Sequence, residues 1–403
     1  MVNGQYYITA ISKKEVKGGV ILMEPLGCLE ENCYTYNIRF GENSFKYFLY
    51  SNELNDCTRL LNGLKDIESV VIISDKNVGN IYGQWLVKQI EKEYKCDLIL
   101  FECTEKNKNL AGLQQLIEKV LSLKATRRTC IIGLGGGICG NMSGMVAALL
   151  FRGIKFVHIP TSLMAVLDSV LSLKQAINSD LGKNLIGTFY TPEMVITSTQ
   201  FLSTLPNKEV ISGLCEVIKN SLTIVPETIT RLSGMLSSEC IYTQQDFRYF
   251  IDMSIQAKEQ VMKNDPFEKN EALILEYGHT IGHAIELADA GGISHGEAVG
   301  LGMLCAARIS HTLGYLSEEE VYLHKELLEK AGAPTTIPLH IDSDTILSIM
   351  KFDNKRGYIS SGPGTMQLVL LDSIGKPLKD QNGALLTLVP EEIVRQEIKK
   401  MYR

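Results

Sequence analysis

The sequence predicts an α/β fold: a parallel-sheet half followed by a mostly α-helical half. Three observations carry that prediction. Short apolar runs alternate with helical stretches between residues 68 and 160, the pattern of right-handed βαβ units on a parallel sheet. Beyond Leu205-Pro206 the strand-type runs stop and helical periodicity takes over. The chain has 403 residues, more than the roughly 250–300 that a single core accommodates.

Residues 1–45 hold β-type runs at 6–11, 20–23 and 34–40, separated by Gly and Pro, which read as an edge hairpin or an added N-terminal arm. Val70-Val71-Ile72-Ile73-Ser74 has the composition of a buried parallel strand and ends in Asp75, with a helix over 80–94. Leu98-Ile99-Leu100-Phe101 is the next strand and 112–123 the next helix. Cys130-Ile131-Ile132-Gly133 leads through glycines into a helix from about 140 to 151, and Phe156-Val157-His158-Ile159 follows as a fourth strand. Residues 160–190 mix polar and apolar side chains without a clear period. Helices are then expected over 208–223, 247–264, 271–289, 296–313 and 317–331. The expected division is an arm at 1–45, an α/β domain at 46–205 and a helical domain at 206–403, with the chemistry in the cleft between halves.

Composition narrows the function classes. Apolar residues make up 45% and charged residues 21%, which excludes a largely disordered chain. Forty Lys+Arg against 46 Asp+Glu leave a net charge of −6 with no basic block, which argues against a nucleic-acid coat and leaves room for a single basic pocket. No run approaches the ~20 apolar residues that cross a bilayer, and residues 1–13 have no signal-type apolar stretch. The ten cysteines are scattered without a C-x-x-C pair; they read as small buried hydrophobes in a reducing, cytoplasmic protein.

Gly135-x-Gly137-x-x-Gly140 joins a strand to a helix with dinucleotide-fingerprint spacing. Glycines there let the backbone approach a pyrophosphate at a helix N-terminus. This is the third strand rather than the first, and the acidic residue usual about 20 positions on is missing. Asp75 is the alternative ribose partner, and a ligand-free glycine turn is the competing reading. Further on, Glu276, His279 and His283 fall at i, i+3 and i+7 of a helical stretch, which places them on one face. His295 opens the next helix, and Glu216 lies on an earlier one with Lys219 one turn on. A carboxylate with imidazoles suits Zn²⁺ or a related divalent ion in an open catalytic site; packed core histidines are the alternative. No H-E-x-x-H is present, so a zinc protease has no support. Lys174, Lys183, Asn184 and Arg152, joined by Lys258 or Lys355, offer a phosphate pocket, against which stands the ordinary surface role of lysine.

The motifs Gly135-Gly136-Gly137-Ile138-Cys139-Gly140-Asn141, Phe151-Arg152-Gly153, Gly182-Lys183-Asn184, Gly213-Leu214-Cys215-Glu216-Val217-Ile218-Lys219, Gly278-His279-Thr280-Ile281-Gly282-His283 and His295-Gly296-Glu297-Ala298 resemble those of the sugar phosphate cyclases, the 3-dehydroquinate synthase superfamily. The resemblance covers about residues 68–360. It implies a Rossmann-like NAD-binding domain and a helical metal-binding domain. Within the superfamily the chain is most similar to the branch that cyclises glucose 6-phosphate to 2-deoxy-scyllo-inosose. Ser169-Val170-Leu171-Ser172-Leu173-Lys174-Gln175-Ala176 replaces a pattern with two glycines before the lysine, and Asn141 stands where dehydroquinate synthase has Asp. Ala272 and Glu276 stand where that enzyme has Arg and Asn. Loss of an arginine and gain of a carboxylate both disfavour an anionic substrate group at that end.

The implied reaction oxidises C4 with tightly held NAD, eliminates phosphate, reduces the ketone, opens the ring and closes a carbocycle by intramolecular aldol addition, a carbon–oxygen lyase without net redox change. By resemblance, Glu216, His279 and His295 hold the metal, Zn²⁺ or Co²⁺. Lys174 and Lys219 contact the reacting hydroxyls, with Lys174 a proton shuttle if neighbouring cations lower its pKa, and Glu276 is the base at the future enol carbon. Arg152, Asn184, Lys258, His283 and Lys355 hold the phosphate. NAD is lined by Asp75, Asn77, Glu105, Lys108, Gly136 and Gly137, and by Thr161, Ser162, Asp168, Lys183 and Thr204. A homodimer is a further family-based expectation. The competing readings are another cyclase (3-dehydroquinate synthase or a valiolone-type synthase), an iron-type alcohol dehydrogenase, and an inactive subunit that only stabilises a partner. Retention of the expected metal ligands and lysines opposes the last.

Overall fold

The computed structural model describes residues 33–51, 54, 57–180, 182–289, 291–351 and 364–402. In chain order the first nine strands are β1 (Cys33–Phe40), β2 (Asn43–Tyr50), β3 (Ser69–Asp75), β4 (Lys95–Phe101), β5 (Thr129–Gly135), β6 (Phe156–Pro160), β7 (Lys174–Ser179), β8 (Gly182–Phe189) and β9 (Met194–Ser198). Seven of them form one sheet in the order β1-β2-β9-β6-β5-β3-β4. All neighbours pair in parallel except β1 and β2, which form an antiparallel edge hairpin. Every residue of β5 is buried, as expected for a central parallel strand covered on both faces.

Strand order decides where a ligand can sit. From β3 the chain first adds β4 on one side, then crosses to add β5 on the other. That reversal is a topological switch point, and it opens a crevice at the carboxyl ends of β3 and β5. The glycine loop follows β5, so its not following the first strand of the chain is no obstacle to dinucleotide binding.

Short helices α1 (Cys57–Asn62), α2 (Lys76–Val78) and α3 (Gln84–Ile90) and longer ones α4 (Leu110–Ser122) and α5 (Gly137–Leu149) flank the sheet, and α6 (Thr199–Leu202) leaves it. The single helix expected over 80–94 is instead α2, a π turn at Gly79–Gly83 and α3. Gly79 and Gly83 press on β4, where a Cβ would lie 2.3 Å from Leu100 and 2.9 Å from Leu98. Residues 160–190, which lack periodicity, hold a second π turn, Ala165–Ser169, and the β7–β8 hairpin against α5.

The remaining helices are α7 (Asn207–Thr223), α8 (Ile229–Met235), α9 (Gln244–Met262), α10 (His279–Asp289), α11 (His295–Thr312), α12 (Glu318–Lys330), α13 (Ser343–Met350) and α14 (Glu391–Lys399). Capping boxes start α9 at Thr243/Asp246, α11 at Ser294/Glu297 and α12 at Ser317/Glu320, each satisfying backbone N–H groups at a helix start. α11 is the central helix, packed against α7, α10, α12 and α14. Two expectations are corrected in this half. The helix expected over 271–289 is broken into a 3₁₀ helix, Glu271–Glu276, and α10. Between them Gly278 has φ +79°, and a Cβ there would lie 2.7 Å from Met303 N and 2.9 Å from Val299 O of α11. Strands do not end at residue 205 either: β10 (Thr365–Val369) pairs with β13 (Leu386–Pro390), and β11 (Leu371–Ser373) with β12 (Lys376–Pro377). These strands are two to five residues long, too short for a clear period-2 signal.

The edge hairpin also joins the two halves. Tyr36, Ile38, Phe40, Tyr47 and Leu49 belong to the same core cluster as α7, α9, α10 and α11. Of the segment read as an arm or edge hairpin, residues 33–45 lie in this hairpin, while residues 1–32 are outside the described residues. The nine described cysteines are all free, and seven are buried, in keeping with their reading as small core residues. Among the described residues no helix is long and apolar enough to cross a membrane.

Candidate metal centre and dinucleotide cleft

The dinucleotide side is built at the carboxyl edge of the sheet. Gly136 is the N-cap of α5 and has no side chain to occupy the helix start. A Cβ on Gly136 would lie 3.3 Å from Ser162 Oγ, and one on Gly137 3.2 Å from Ser169 Oγ, so larger residues would crowd the cradle. The third glycine serves packing: a Cβ on Gly140 would lie 2.9 Å from His158 Cε1 on β6. Thr161 N donates to Gly135 O at 3.0 Å, and Ser162 Oγ accepts from Ala165 N at 3.3 Å. At the end of β3, Asp75 Oδ1 accepts from Asn77 N at 2.8 Å and its Oδ2 from Cys103 N at 3.2 Å; the carboxylate shapes the turn into α2. Thr204 Oγ1 lies 3.4 Å from Tyr82 OH, just past α2. An open helix start at a switch point, walled by hydroxyls, fits a pyrophosphate.

A polar cluster continues from this edge along the β7–β8 hairpin. Lys183 Nζ lies 2.6 Å from Glu286 Oε1 and 3.4 Å from Glu105 Oε1. Lys108 Nζ donates to Asn184 Oδ1 at 2.6 Å, and Asn178 Nδ2 donates to Glu105 Oε2 at 2.6 Å. Burial pulls the Lys108 ammonium pKa down, with Glu105 opposing. Glu105, Lys108 and Lys183 are thus brought together, and Asn184 joins them, although it was grouped with the phosphate contacts. Asn178 and Glu286 were not singled out by spacing.

The metal side gathers four residues from three helices. Glu216 comes from the middle of α7, His279 and His283 from the first two turns of α10, and His295 from the first position of α11. Ligating atoms of the three histidines lie within 4.8 Å of one another. Glu216 Oε1 is 3.5 Å from His279 Nε2 and, although buried, has no hydrogen-bond donor among the described residues. Its Oε2 accepts from Lys219 Nζ one turn along α7. A buried carboxylate oxygen left without a donor is costly, and a divalent cation between it and the imidazoles would satisfy it. Burial first, then the Lys219 charge, holds His279 well below the usual histidine range, so its ring is neutral and ligand-competent. Its Nδ1 faces Tyr277 O at 3.2 Å, which leaves Nε2 toward Glu216. The Tyr277 hydroxyl is in turn 3.0 Å from His324 Nε2 on α12, anchoring the break before α10.

Lys174 corrects a further expectation. Its Nζ lies 2.5 Å from Glu268 Oε2 and 3.8 Å from Glu276 Oε1, so carboxylates rather than cations surround it. Burial would lower its pKa, but Glu268 and then Glu276 outweigh burial and raise it. Spacing alone had put Glu276 on one helical face with the histidines; the break at Gly278 instead turns it toward Lys174. Lys258 Nζ, buried on α9, lies 2.6 Å from Asp168 Oδ1. Against the effect of burial, Lys258 and Lys219 hold the Asp168 carboxyl far below its usual range, so Asp168, expected beside the dinucleotide, sits instead with Lys258 and Lys219. Glu268 was missed in the sequence. It sits in an irregular loop with φ +52°, shaped by Asp265, whose carboxylate accepts from Lys269 N at 3.0 Å, Asn270 N at 2.6 Å and Ala272 N at 3.0 Å. No periodic pattern marks such a loop. Arg152 follows the carboxyl end of α5 and precedes β6, at the opposite edge of the sheet from the glycine loop. Phe151, Arg152 and Gly153 have φ of +51°, +69° and +119°, and among the described residues the Arg152 side chain has no hydrogen bond or ion pair. Lys355 lies outside the described residues.

Residues 98–212 match the family model of the 3-dehydroquinate synthase N-terminal region, and residues 213–356 that of its C-terminal region. The chain is 45% identical over 334 residues to a 2-deoxy-scyllo-inosose synthase of Micromonospora echinospora, covering 83% of this chain and 84% of the relative. A crystal structure of 2-deoxy-scyllo-inosose synthase complexed with carbaglucose-6-phosphate, NAD⁺ and Co²⁺ superposes with a TM-score of 0.85 at 37% identity, covering 91% of this chain and 100% of that one. A 2-epi-5-epi-valiolone synthase from Streptomyces hygroscopicus with NAD⁺ and Zn²⁺ bound shares the fold, with a TM-score of 0.78 at 19% identity, over 89% of this chain and 97% of that one.

Proposed function

The chain belongs to the 3-dehydroquinate synthase family of sugar phosphate cyclases, and we propose that it converts glucose 6-phosphate to 2-deoxy-scyllo-inosose with release of phosphate. It is an NAD- and metal-dependent carbon–oxygen lyase. Bound NAD supplies a hydride acceptor that is restored within each turnover, and a divalent metal supplies Lewis acidity at the C4 oxygen. The observation that carries the substrate reading is the pairing of Lys174 with two carboxylates, Glu268 at 2.5 Å and Glu276 at 3.8 Å, with buried Ala272 beside them in place of an arginine. That end of the site repels a substrate carboxylate and accepts neutral hydroxyls.

The residues take the following roles. Glu216, His279 and His295 hold the metal, and His283, on the same cluster, faces the substrate phosphate. Lys219 bonds Glu216 and orients a reacting hydroxyl. Lys174, held as an ammonium by Glu268 and Glu276, donates to the C4 hydroxyl region. Glu276 is the base at the carbon that becomes the enol nucleophile. Lys258 binds phosphate, with Asp168 fixing its position. Arg152, Asn184 and Lys355 were grouped with these contacts; the place of Arg152 at the far sheet edge gives it no support within one chain, and Asn184 sits with the dinucleotide cluster. The dinucleotide lies on Gly136 and Gly137, between Asp75, Asn77, Thr161, Ser162 and Thr204 and the cluster of Glu105, Lys108 and Lys183. The division at about residue 205 separates the dinucleotide half from the half that supplies the metal ligands. The family resemblance further supports Zn²⁺ or Co²⁺ as the metal, a cytoplasmic homodimer and a place in aminoglycoside antibiotic biosynthesis.

Incubation of the protein with glucose 6-phosphate, NAD⁺ and Co²⁺ is expected to release phosphate and give a product of the mass of 2-deoxy-scyllo-inosose, without net NADH. The same assay with the dehydroquinate synthase substrate and a seven-carbon sugar phosphate is expected to release none. Phosphate release from either of those alone, or steady NADH accumulation, overturns the assignment in favour of another cyclase or an alcohol dehydrogenase.

A further inference from the structure

We infer that Glu286 is a positioning residue shared by both cofactor sites: one carboxylate oxygen orients His295 toward the metal and the other holds Lys183 at the dinucleotide cluster. The inference rests on the functional reading above, because it assumes that His295 ligates metal and that Lys183 faces the dinucleotide.

Glu286 lies on α10, seven residues after His279 and three after His283, so all three project from one helix face. Both of its oxygens are engaged, Oε2 at 3.1 Å from His295 Nδ1 and Oε1 at 2.6 Å from Lys183 Nζ. Its side chain is 10% exposed, so water does not replace these partners cheaply. An imidazole whose Nδ1–H donates to a carboxylate has its tautomer and ring plane set, with the Nε2 lone pair left for a metal. Without Glu286, His295 Nδ1 loses the carboxylate that orients it, and among the described residues Lys183 keeps Glu105 alone as an ion-pair partner, whose side chain is 45% exposed. His295 belongs to α11 and Lys183 to the β7–β8 hairpin, so one side chain ties the metal half to the dinucleotide half.

The test uses metal-free, NAD-free full-length protein and reads binding rather than turnover. Co²⁺ is titrated by its visible absorption and NAD⁺ by calorimetry, for the parent, Glu286→Ala, Glu286→Gln and Lys183→Met, with thermal unfolding to establish folding. Glu286→Ala is expected to weaken Co²⁺ by roughly 10–100-fold, as loss of a histidine's orienting carboxylate does, to alter the Co²⁺ spectrum, and to weaken NAD⁺. Glu286→Gln keeps one acceptor for His295 Nδ1–H, so it is expected to recover most of the Co²⁺ affinity while NAD⁺ stays weak. Lys183→Met is expected to weaken NAD⁺ alone. A folded Glu286→Ala that binds both ligands within about twofold of the parent, with an unchanged spectrum, overturns the inference. Should Glu286→Ala fail to fold, Glu286→Gln decides: weak NAD⁺ with a near-parental Co²⁺ spectrum supports the inference, and parental binding of both overturns it. A parent that binds neither ligand overturns the functional reading itself, a different result from a parent that binds both.

Discussion

Glu276 and Lys174 show how a single side chain is reinterpreted by its neighbours. Both were picked out in the sequence, but the charge of Lys174 depends on Glu268, a residue 94 positions away that contacts it at 2.5 Å. Replacing Lys174 by Ala or Glu276 by Gln is expected to lower kcat by about 10²–10⁴-fold, the usual worth of a positioned acid or base, while circular dichroism and thermal unfolding stay close to the parent. A second prediction concerns two buried histidines that take no role in the proposed chemistry. Burial pulls His158 down to about 3 and His324 to about 4, from an ordinary value of 6.5. Below pH 6.5 the unfolded chain therefore takes up protons at these rings that the native state refuses. Their contribution is fully present above pH 6.5 and is lost as pH falls toward 4, with a slope of about 1.4 kcal/mol per pH unit for each ring. Urea unfolding at pH 7, 6 and 5 is expected to show that decline, and His158→Phe is expected to reduce the slope by one proton. Glycine spacing and histidine clustering made the metal and dinucleotide candidates legible, because local patterns carry them. Glu268 and Glu286 were not legible, because each acts across the fold.

At the scale of elements, helix packing holds the candidate metal ligands in register. A Cβ on Gly296, next to His295, would lie 1.9 Å from Ser212 O on α7, the helix that carries Glu216. Gly296→Ala is expected to push α11 away from α7, costing ~1–3 kcal/mol or more from overpacking and weakening Co²⁺ binding as well. Gly234, inside α8 with nothing within 4 Å of its Cβ position, is the control: Gly234→Ala is expected to be neutral or to stabilise by up to ~1 kcal/mol through helix propensity. Urea midpoints and Co²⁺ titrations of the two variants measure both effects. Most elements matched their apolar periodicity, such as α7 over Asn207–Thr223 and β3 over Ser69–Asp75. The exceptions were settled by contact. Gly278 breaks a helix that residues 271–289 would otherwise continue, because α11 passes within a Cβ radius of it. The π turn at Gly79–Gly83 likewise depends on β4, which the local sequence does not contain.

At the scale of the molecule, ligands that bind the folded chain and not the unfolded one are expected to stabilise the fold. Saturation with Co²⁺ at about 100 times its Kd adds about 2.7 kcal/mol, read as a higher urea midpoint than that of the chelated protein, and NAD⁺ is expected to add to it. Equal midpoints with and without chelator would count against a metal on Glu216, His279 and His295. The sequence by itself determined the two halves, the glycine cradle, the histidine set and the departure at Ala272 and Glu276 that disfavours a carboxylated substrate, because composition, period and motif are properties of contiguous residues. Only the tertiary structure decided that the glycine loop lies at a switch point, that Lys174 stands among carboxylates, that Arg152 lies at the far edge of the sheet and that one carboxylate, Glu286, contacts both His295 and Lys183. Those facts depend on strand order and on side chains brought together from distant segments, which no local pattern records.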